Sequence, residues 1–374
     1  MAFYEIESQD QLLAYLNNHD HLVDVAIQGL DLRPFETQLC KFAIQNAYFL
    51  GCKLTPSLAL HIQTEGSVIL PAPKELPYHP FRGTLYHPLE LMTGYVRGKH
   101  GSFETHSLDS KIYGHYKESD VSNVIVTLYQ RIHDHAIDDA LQSYMADRRN
   151  LTVGMMGGHS LNRSDPRFRQ VAHLAHTLHQ NQYFIASGGG PGAMEAANLG
   201  AYMGKYSETD LDNALSILEG APTYRDNGWF ETALQVRDQF PSEEESLGVP
   251  TWFYGHEPSN LFASHHAKYF ANSIREDGLL ALSEGGIVYA PGSAGTIQEI
   301  FQDACQNHYG TIGSVSPMIF MDYTYWTKHK PVYPLLRELS KSRQYGKMLG
   351  IFDDNAQILE FLKANPMEPF KSQL

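Results

Sequence analysis

The sequence predicts an α/β protein: a Rossmann-like, doubly wound, mostly parallel sheet with helices on both faces, behind a smaller N-terminal domain. Three observations predict it. Strand-length apolar runs alternate with helical patterns from about residue 148 onward. Three of the strand-to-helix turns are rich in glycine: GGHS (157–160), GGGPGAME (188–195) and PGSAGTIQE (291–299). And 374 residues exceed one ordinary core, so two domains are expected. The division falls at residues 1–118, an accessory domain with an irregular connection, and 119–374, a nucleotide-binding domain with its core at 148–345.

Residues 1 to about 95 carry short apolar runs broken by turns. VDVAIQGLDL and NAYFLGCKLTP read as strands or solenoid-like rungs, without a sustained repeat. Residues 70–88 hold five prolines and read as an irregular connection. A long helix with an apolar stripe is expected from Ser119 to Asp147. Then LTVGMM (151–156) is a strand, and a helix follows with Ser164 or Asp165 as N-cap and Pro166 at its first position. QYFIAS (182–187) is the second strand and ALSILEG (214–220) the third. Residues 221–248 are polar and irregular, an insertion or lid. VPTWFYG (249–255) is a strand and Leu261 to Ser283 a long helix. GGIVYA (285–290), a helix from Thr296 to His308, SPMIFMD (316–322) and a helix from about Tyr325 complete the series.

Composition excludes several functions. Hydrophobic residues at 43% suffice for a full interior, and a net charge of -14 gives no basic footprint for nucleic acid. The first residues show no signal-peptide pattern, and no apolar run is long enough to span a membrane. Three cysteines, Cys40, Cys52 and Cys305, without metal spacing fit a reduced, cytoplasmic setting.

In parallel sheets ligands bind at the carboxyl ends of strands, and glycine turns there hold anions on helix amides. The second turn also fits G-x-G-x-x-A through Gly188, Gly190 and Ala193, which raises a nicotinamide dehydrogenase as an alternative. That pattern belongs after a first strand, and no acid stands cleanly about 20 residues on. Glu299 follows Thr296 by three residues, the capping-box spacing, and Glu195 sits early in its helix where the dipole favours acids. Taken alone, each carboxylate reads as structural. His173, His176 and His179 drift around one helix without an evident acidic partner, and His133 and His135 read as a solvated helix face. No metal or other cofactor is called for.

GGGPGAMEAANLGA followed about 100 residues later by PGSAGTIQE resembles the LOG ("lonely guy") family of nucleotide 5′-monophosphate phosphoribohydrolases, often labelled lysine decarboxylases. The GPGAME variant is more similar to the larger bacterial nucleotide nucleosidases of that superfamily. The resemblance covers roughly residues 148–322. It departs at Ser293, where the family has glycine.

The resemblance implies hydrolysis of a nucleoside 5′-monophosphate to free base and ribose 5-phosphate. The phosphate would rest on Gly292, Ser293, Ala294, Gly295 and Thr296. Glu299 would act on the ribose, Arg275, 16 residues before Pro291, would be a catalytic arginine that offsets the negative charge, and Glu195 would be a second carboxylate that binds ribose hydroxyls or shares the water. Gly188, Gly189, Gly190 and Met194, with Gly158, His159 and Ser160, would complete the nucleotide site. A homodimer or larger oligomer is implied too, with Tyr269, Phe270 and Ala271 on the Arg275 helix suited to a helix–helix contact. A non-catalytic nucleotide sensor on the same fold is the alternative. No lysine stands in a pyridoxal-phosphate context, so the decarboxylase label gains little.

Overall fold

Near-continuous apolar runs from Thr152 onward form most of a sheet of seven parallel strands, as strands buried on both faces require. The computed structural model describes residues 3–120, 122–255 and 257–371; Met1, Ala2 and Val121, on which parts of the N-terminal and long-helix readings fall, lie outside the described residues. The chain forms two compact units. One comprises residues 1–85 and 114–143, the other residues 86–113 and 144–374.

In the smaller unit the six short strands are β1 (Tyr4–Ile6), β2 (His21–Val23), β3 (Val25–Gln28), β4 (Ala43–Gln45), β5 (Tyr48–Leu50) and β6 (Val68–Leu70). They pair in parallel as β1-β3-β5-β6 and β2-β4. A repeat does exist here: β2 on β4 and β3 on β5 are each offset by 22 residues. Leu22, Val25 and Ile27 therefore stack over Ile44, Ala47 and Phe49, and all six are buried. The corners repeat as well. Asp24 and Asn46 adopt positive φ, as do Gly29 and Gly51, and Asn46 donates to Asp24 at 2.6 Å. Two coils share shape but few residue identities, so the period escapes a composition-level scan.

Helix α1 (Val124–Met145) joins this unit through most of its length. Tyr129 donates to Pro71 O at 2.9 Å, and the Tyr78 and His133 rings meet edge-on at 5.3 Å. His133 is fully buried beside buried Asp134, not on a solvated face as its HDHAIDD setting implied; only His135 is exposed.

The larger unit's sheet contains β7 (Thr152–Met156), β8 (Phe184–Ser187), β9 (Ser246–Gly248), β10 (His265–His266), β11 (Gly286–Tyr289), β13 (Met318–Met321) and β14 (Leu349–Phe352); β12 (Ser314–Val315) pairs elsewhere with β15 (Glu368–Pro369). The order is β10-β9-β8-β7-β11-β13-β14, all parallel. The chain builds outward from β7 to one edge, then returns to β7's other side and builds to the opposite edge. Helices α2 (Pro166–Gln180), α3 (Ala193–Tyr202), α4 (Glu208–Leu218), α5 (Trp229–Gln239), α6 (Asn272–Leu282), α7 (Ala294–Tyr309), α8 (Val332–Leu339) and α9 (Asn355–Ala364) provide the crossovers and cover. Asp165 caps α2 by accepting from Arg167 N, with Pro166 at the first position.

Three expected elements differ. ALSILEG is the end of α4, not a strand: Leu211, Ala214, Leu215 and Leu218 are buried at helical spacing. Residues 221–248 are no free insertion, because α5 buries Trp229, Phe230, Ala233 and Val236 in the core. Apart from the two-residue β10, the segment 249–271 is irregular, and α6 starts only at Asn272. Side chains replace helical bonds there. Asn260 accepts from Phe262 N and Ala263 N, and Lys268, fully buried, pairs with Asp109 at 2.7 Å and donates to Ser259. Tyr269 and Phe270 are interior residues ahead of the helix, so they offer no face to a second copy.

Behind the sheet's switch, Tyr289 donates to Asp303 at 2.7 Å and Asn307 donates to the same carboxyl at 2.9 Å, clamping α7 to β11. Burial pushes the Asp303 carboxyl up to about 7. In the small unit, burial and then the neighbouring Asp139 push Glu7 up to about 7 as well. Folded-state pKa values above the unfolded ones mean that the folded chain binds more protons between about pH 4 and 7. This contribution is complete below the unfolded pKa and lost as pH rises through about 7. Melting temperature is thus expected to fall from pH 5 to 8, and Asp303→Asn to flatten part of that fall in calorimetric scans.

Candidate active site

The strand order reverses between β7 and β11, and the crevice outside their carboxyl ends is where such sheets take ligands. Two glycine turns leave the sheet at this place, and the third follows adjacent β8. They pack closely. A Cβ on Gly157 would lie 2.6 Å from Ala193 Cβ, and one on Gly192, whose φ is +72°, would lie 2.4 Å from Gly158 O. Gly158 N donates to Pro291 O at 3.1 Å, joining the first turn to the last. Only residues without side chains let three turns converge this way.

The GGG turn is fixed from beneath by a buried polar network. Ser187 Oγ donates to Asn198 and accepts from Gly189 N; Asn260 Nδ2 donates to Asn198 and to Gly190 O. All these side chains are buried and bonded, the condition under which a polar network makes a core rigid. Asn198 lies within GGGPGAMEAANLGA but beyond its glycine turn, and Asn260 stands in no motif, so neither was singled out.

Arg275 and Glu299 meet in this crevice. Arg275 projects from α6, only 8% exposed, and donates through Nε to Val249 O at 2.7 Å and through Nη1 to Glu299 Oε1 at 3.3 Å. Its Nη2 lies where a Gly188 Cβ would stand, 2.5 Å away, with Met194 Sδ equally close. Glu299 does not form the capping box that its spacing from Thr296 allowed. Helix α7 already begins at Ala294, which places Glu299 in its second turn, 8% exposed. Burial raises its carboxyl, Arg275 draws it back down, and Glu276 raises it again. The net effect is upward, so this carboxyl holds a proton more readily than a free glutamate does.

Glu195 takes a different course. Fully buried, it receives both arms of Arg163, from Nε at 2.9 Å and Nη2 at 2.5 Å. Arg163 Nη1 reaches Trp229 O and Thr232 Oγ1, and the guanidinium lies 4.9 Å from the centre of the Trp229 ring. The pair ties α3 to α5. Arg163 was not foreseen; its partners lie 32 or more residues away.

At the PGSAGTIQE turn, Gly292 and Thr296 are buried, while Ser293, Ala294 and Gly295 face solvent at the N-terminal end of α7. Ser293 Oγ does not cap the helix. It accepts from Lys330 Nζ at 3.0 Å, and Gly292 O accepts from Lys330 at 3.2 Å and from Tyr325 at 2.6 Å. A cation is thereby held at the positive end of a helix dipole, beside a cavity of about 340 Å³ that Gly158, Ser160 and Arg167 also line. The hydroxyl that departs from glycine at position 293 serves as the lysine's acceptor. Lys330 was also missed, 37 residues from its contact.

Gly188, Gly190, Met194 and Arg275 line a small cavity with Tyr254 and Glu257. His159 and Ser160 stand exposed on the rim of a further cavity of about 180 Å³, bounded by Asn162, Glu195, Tyr224 and Trp229. Two of the three α2 histidines have acidic partners, contrary to expectation: His173 meets Asp212 at 2.9 Å and His179 meets Glu244 at 2.7 Å, while His176 bonds Tyr206 O at 2.9 Å. Among the described residues, no three His, Cys, Asp or Glu side chains gather as metal ligands. The G-x-G-x-x-A pattern follows β8 rather than the unit's first strand, β7.

No family model matches the chain, and no curated protein matches it either. Among solved structures it is similar to a molybdenum cofactor binding protein from the phototrophic bacterium Rippkaea orientalis, at 15% identity and TM-score 0.35, over 57% of this chain and 95% of that one. The molybdenum cofactor carrier protein from Chlamydomonas reinhardtii is similar at 13% identity and TM-score 0.34, over 57% and 98%. The LOG resemblance is corrected: no family model and no curated protein supports it. Two short turn motifs, one with serine in place of glycine, do not carry membership.

Breaking a buried ion pair from one side leaves the other charge stranded, at a cost of about 3–5 kcal/mol. Glu195→Gln is therefore expected to lower the melting temperature by several degrees or more, as read by calorimetry. Unchanged stability would mean that Arg163 finds its charge balanced elsewhere.

Proposed function

We propose that the larger unit hydrolyses the N-glycosidic bond of a nucleoside 5′-monophosphate, releasing free base and ribose 5-phosphate. The observation that carries this reading is the buried Arg275–Glu299 pair at the sheet's switch point, next to two anion-receptive glycine turns. The 5′-phosphate rests on the first-turn amides of α7, from Gly292 to Thr296, with Lys330 as its counter-charge. Cleavage builds positive charge on the ribose, which the Glu299 carboxylate stabilises while it takes a proton from the attacking water. Arg275 orients Glu299 and offsets the charge that phosphate and carboxylate bring together. Glu195, held by Arg163, positions α3 and does not share the water. Among the described residues no helix is long and apolar enough to cross a membrane, and the three cysteines are free, which supports a reduced, cytoplasmic setting.

Released base, followed by chromatography over a panel of nucleoside monophosphates, tests the reading. Glu299→Gln keeps shape but cannot hold negative charge, and is expected to lose roughly 10²–10⁴-fold in turnover with nucleotide binding retained. Binding without turnover in the wild-type protein would favour a sensor instead.

The cradle supplies charge-assisted bonds worth about 1.5–3 kcal/mol each. Nucleosides are therefore expected to be far poorer substrates than their monophosphates, and Lys330→Met to raise KM for the nucleotide more than it lowers kcat. Equal kcat/KM for a nucleoside and its monophosphate would remove the phosphate from this turn.

A further inference from the structure

Heterolysis of a C1′–N bond leaves an electron pair on the base. A neutral purine or pyrimidine then departs as an anion unless a proton reaches it. Neither member of the buried pair meets this need: an arginine guanidinium does not release its proton, and Glu299 is committed to water on the sugar.

His159 stands where the missing acid is required. It follows β7 directly, on the turn that Gly192 and Gly158 press against the GGG turn. Its Nδ1 lies 3.5 Å from Glu257 Oε1. The two residues belong to neighbouring cavities. Glu257 lines the one that holds Arg275, and His159 lines the one bounded by Tyr224 and Trp229. This second cavity has the character of a base pocket. The Tyr224 ring presents an aromatic wall, with His159 edge-on at 6.4 Å and the Arg225 guanidinium 5.5 Å from the ring centre. Stacking on such a surface tolerates any planar base, and Asn162 at the rim offers a donor and an acceptor to its edge. Among the side chains lining this pocket, the imidazole of His159 offers a ring N–H to a leaving base.

We propose, on the nucleotide-hydrolase reading above, that the base binds against Tyr224 and that His159, oriented by Glu257, protonates it as it leaves. Nδ1 faces the carboxylate, so Nε2 faces the base. The C1′–N bond breaks with its electron pair going to the base nitrogen; Nε2 delivers a proton to the base. Water adds to C1′ and gives its proton to Glu299, and solvent returns that proton to His159. The sum is nucleotide plus water giving base plus ribose 5-phosphate. His159 is the catalytic residue here and Glu257 a positioning residue.

The test compares leaving groups. A neutral-base substrate, the common monophosphate cleaved fastest, is set against nicotinamide mononucleotide and 7-methylguanosine 5′-monophosphate, whose cationic bases leave without a proton. His159→Gln and Glu257→Gln are expected to lose roughly 10²–10⁴-fold on the neutral-base substrate and little on the cationic ones. Circular dichroism confirms folding, which the half-exposed position of His159 favours. Loss to the same degree on both classes, or no loss on either, overturns the assignment while the hydrolase reading stands. Failure of the wild-type protein on every monophosphate overturns both.

Discussion

The whole site depends on one topological constraint: β11 enters the sheet beside β7 after the chain has built outward to β10. A crevice opens where neighbouring crossovers part to opposite faces. Two strand ends then deliver glycine turns to one place, and β8 delivers a third. The glycines are obligatory because the turns stack at van der Waals distance, with no room for a Cβ at Gly157 or Gly192. Loss of that closeness would separate Arg275 from the Gly188 backbone and the Lys330 contact from the first turn.

Two carboxylates of similar sequence setting have opposite fates, and the cause is their partners. Glu195 and Glu299 both lie early in helices that leave glycine turns. Glu195 meets a guanidinium with both oxygens, in a pocket where every arm of the arginine is also bonded. Glu299 meets one arm of Arg275 at a longer distance, with Glu276 nearby. The first carboxylate is a structural tie. The second has its proton affinity raised by burial, and one arm of Arg275 offsets this only in part.

The strands β7, β8, β11 and β13 were legible because burial on both faces writes continuous apolar runs, and Asp165-Pro166 marked the start of α2. The α4 segment misled because ALSIL is short and apolar; its helical spacing shows only when Leu211 is included. The 249–271 region misled through apolar residues that are interior but non-helical, held by Asn260 and Lys268. Of the site, the glycines stood out in the turn motifs, whereas Arg275 and Glu299 were singled out only by what the family resemblance implied. Arg163, Lys330 and Glu257 could not be anticipated, since each acquires its meaning from a partner brought near only by folding. The 22-residue period of the small unit escaped for a related reason: its signal is positional burial, not residue identity.

The small unit is assembled from two stretches, with residues 86–113 belonging to the other unit between them. During synthesis, the rungs from Tyr4 to Leu70 emerge well before the helix that binds them through Tyr129 and His133. Until residue 143 has left the ribosome, the early coils lack this partner and expose its docking surface. No single cleavage point frees either unit whole. Shortening the gene at residue 118 would discard the helix that completes the first unit, while starting it there would graft that orphaned helix onto the second. A usable dissection has to reconnect residue 85 to residue 114 by a linker, treating 86–113 as an excursion of the larger unit.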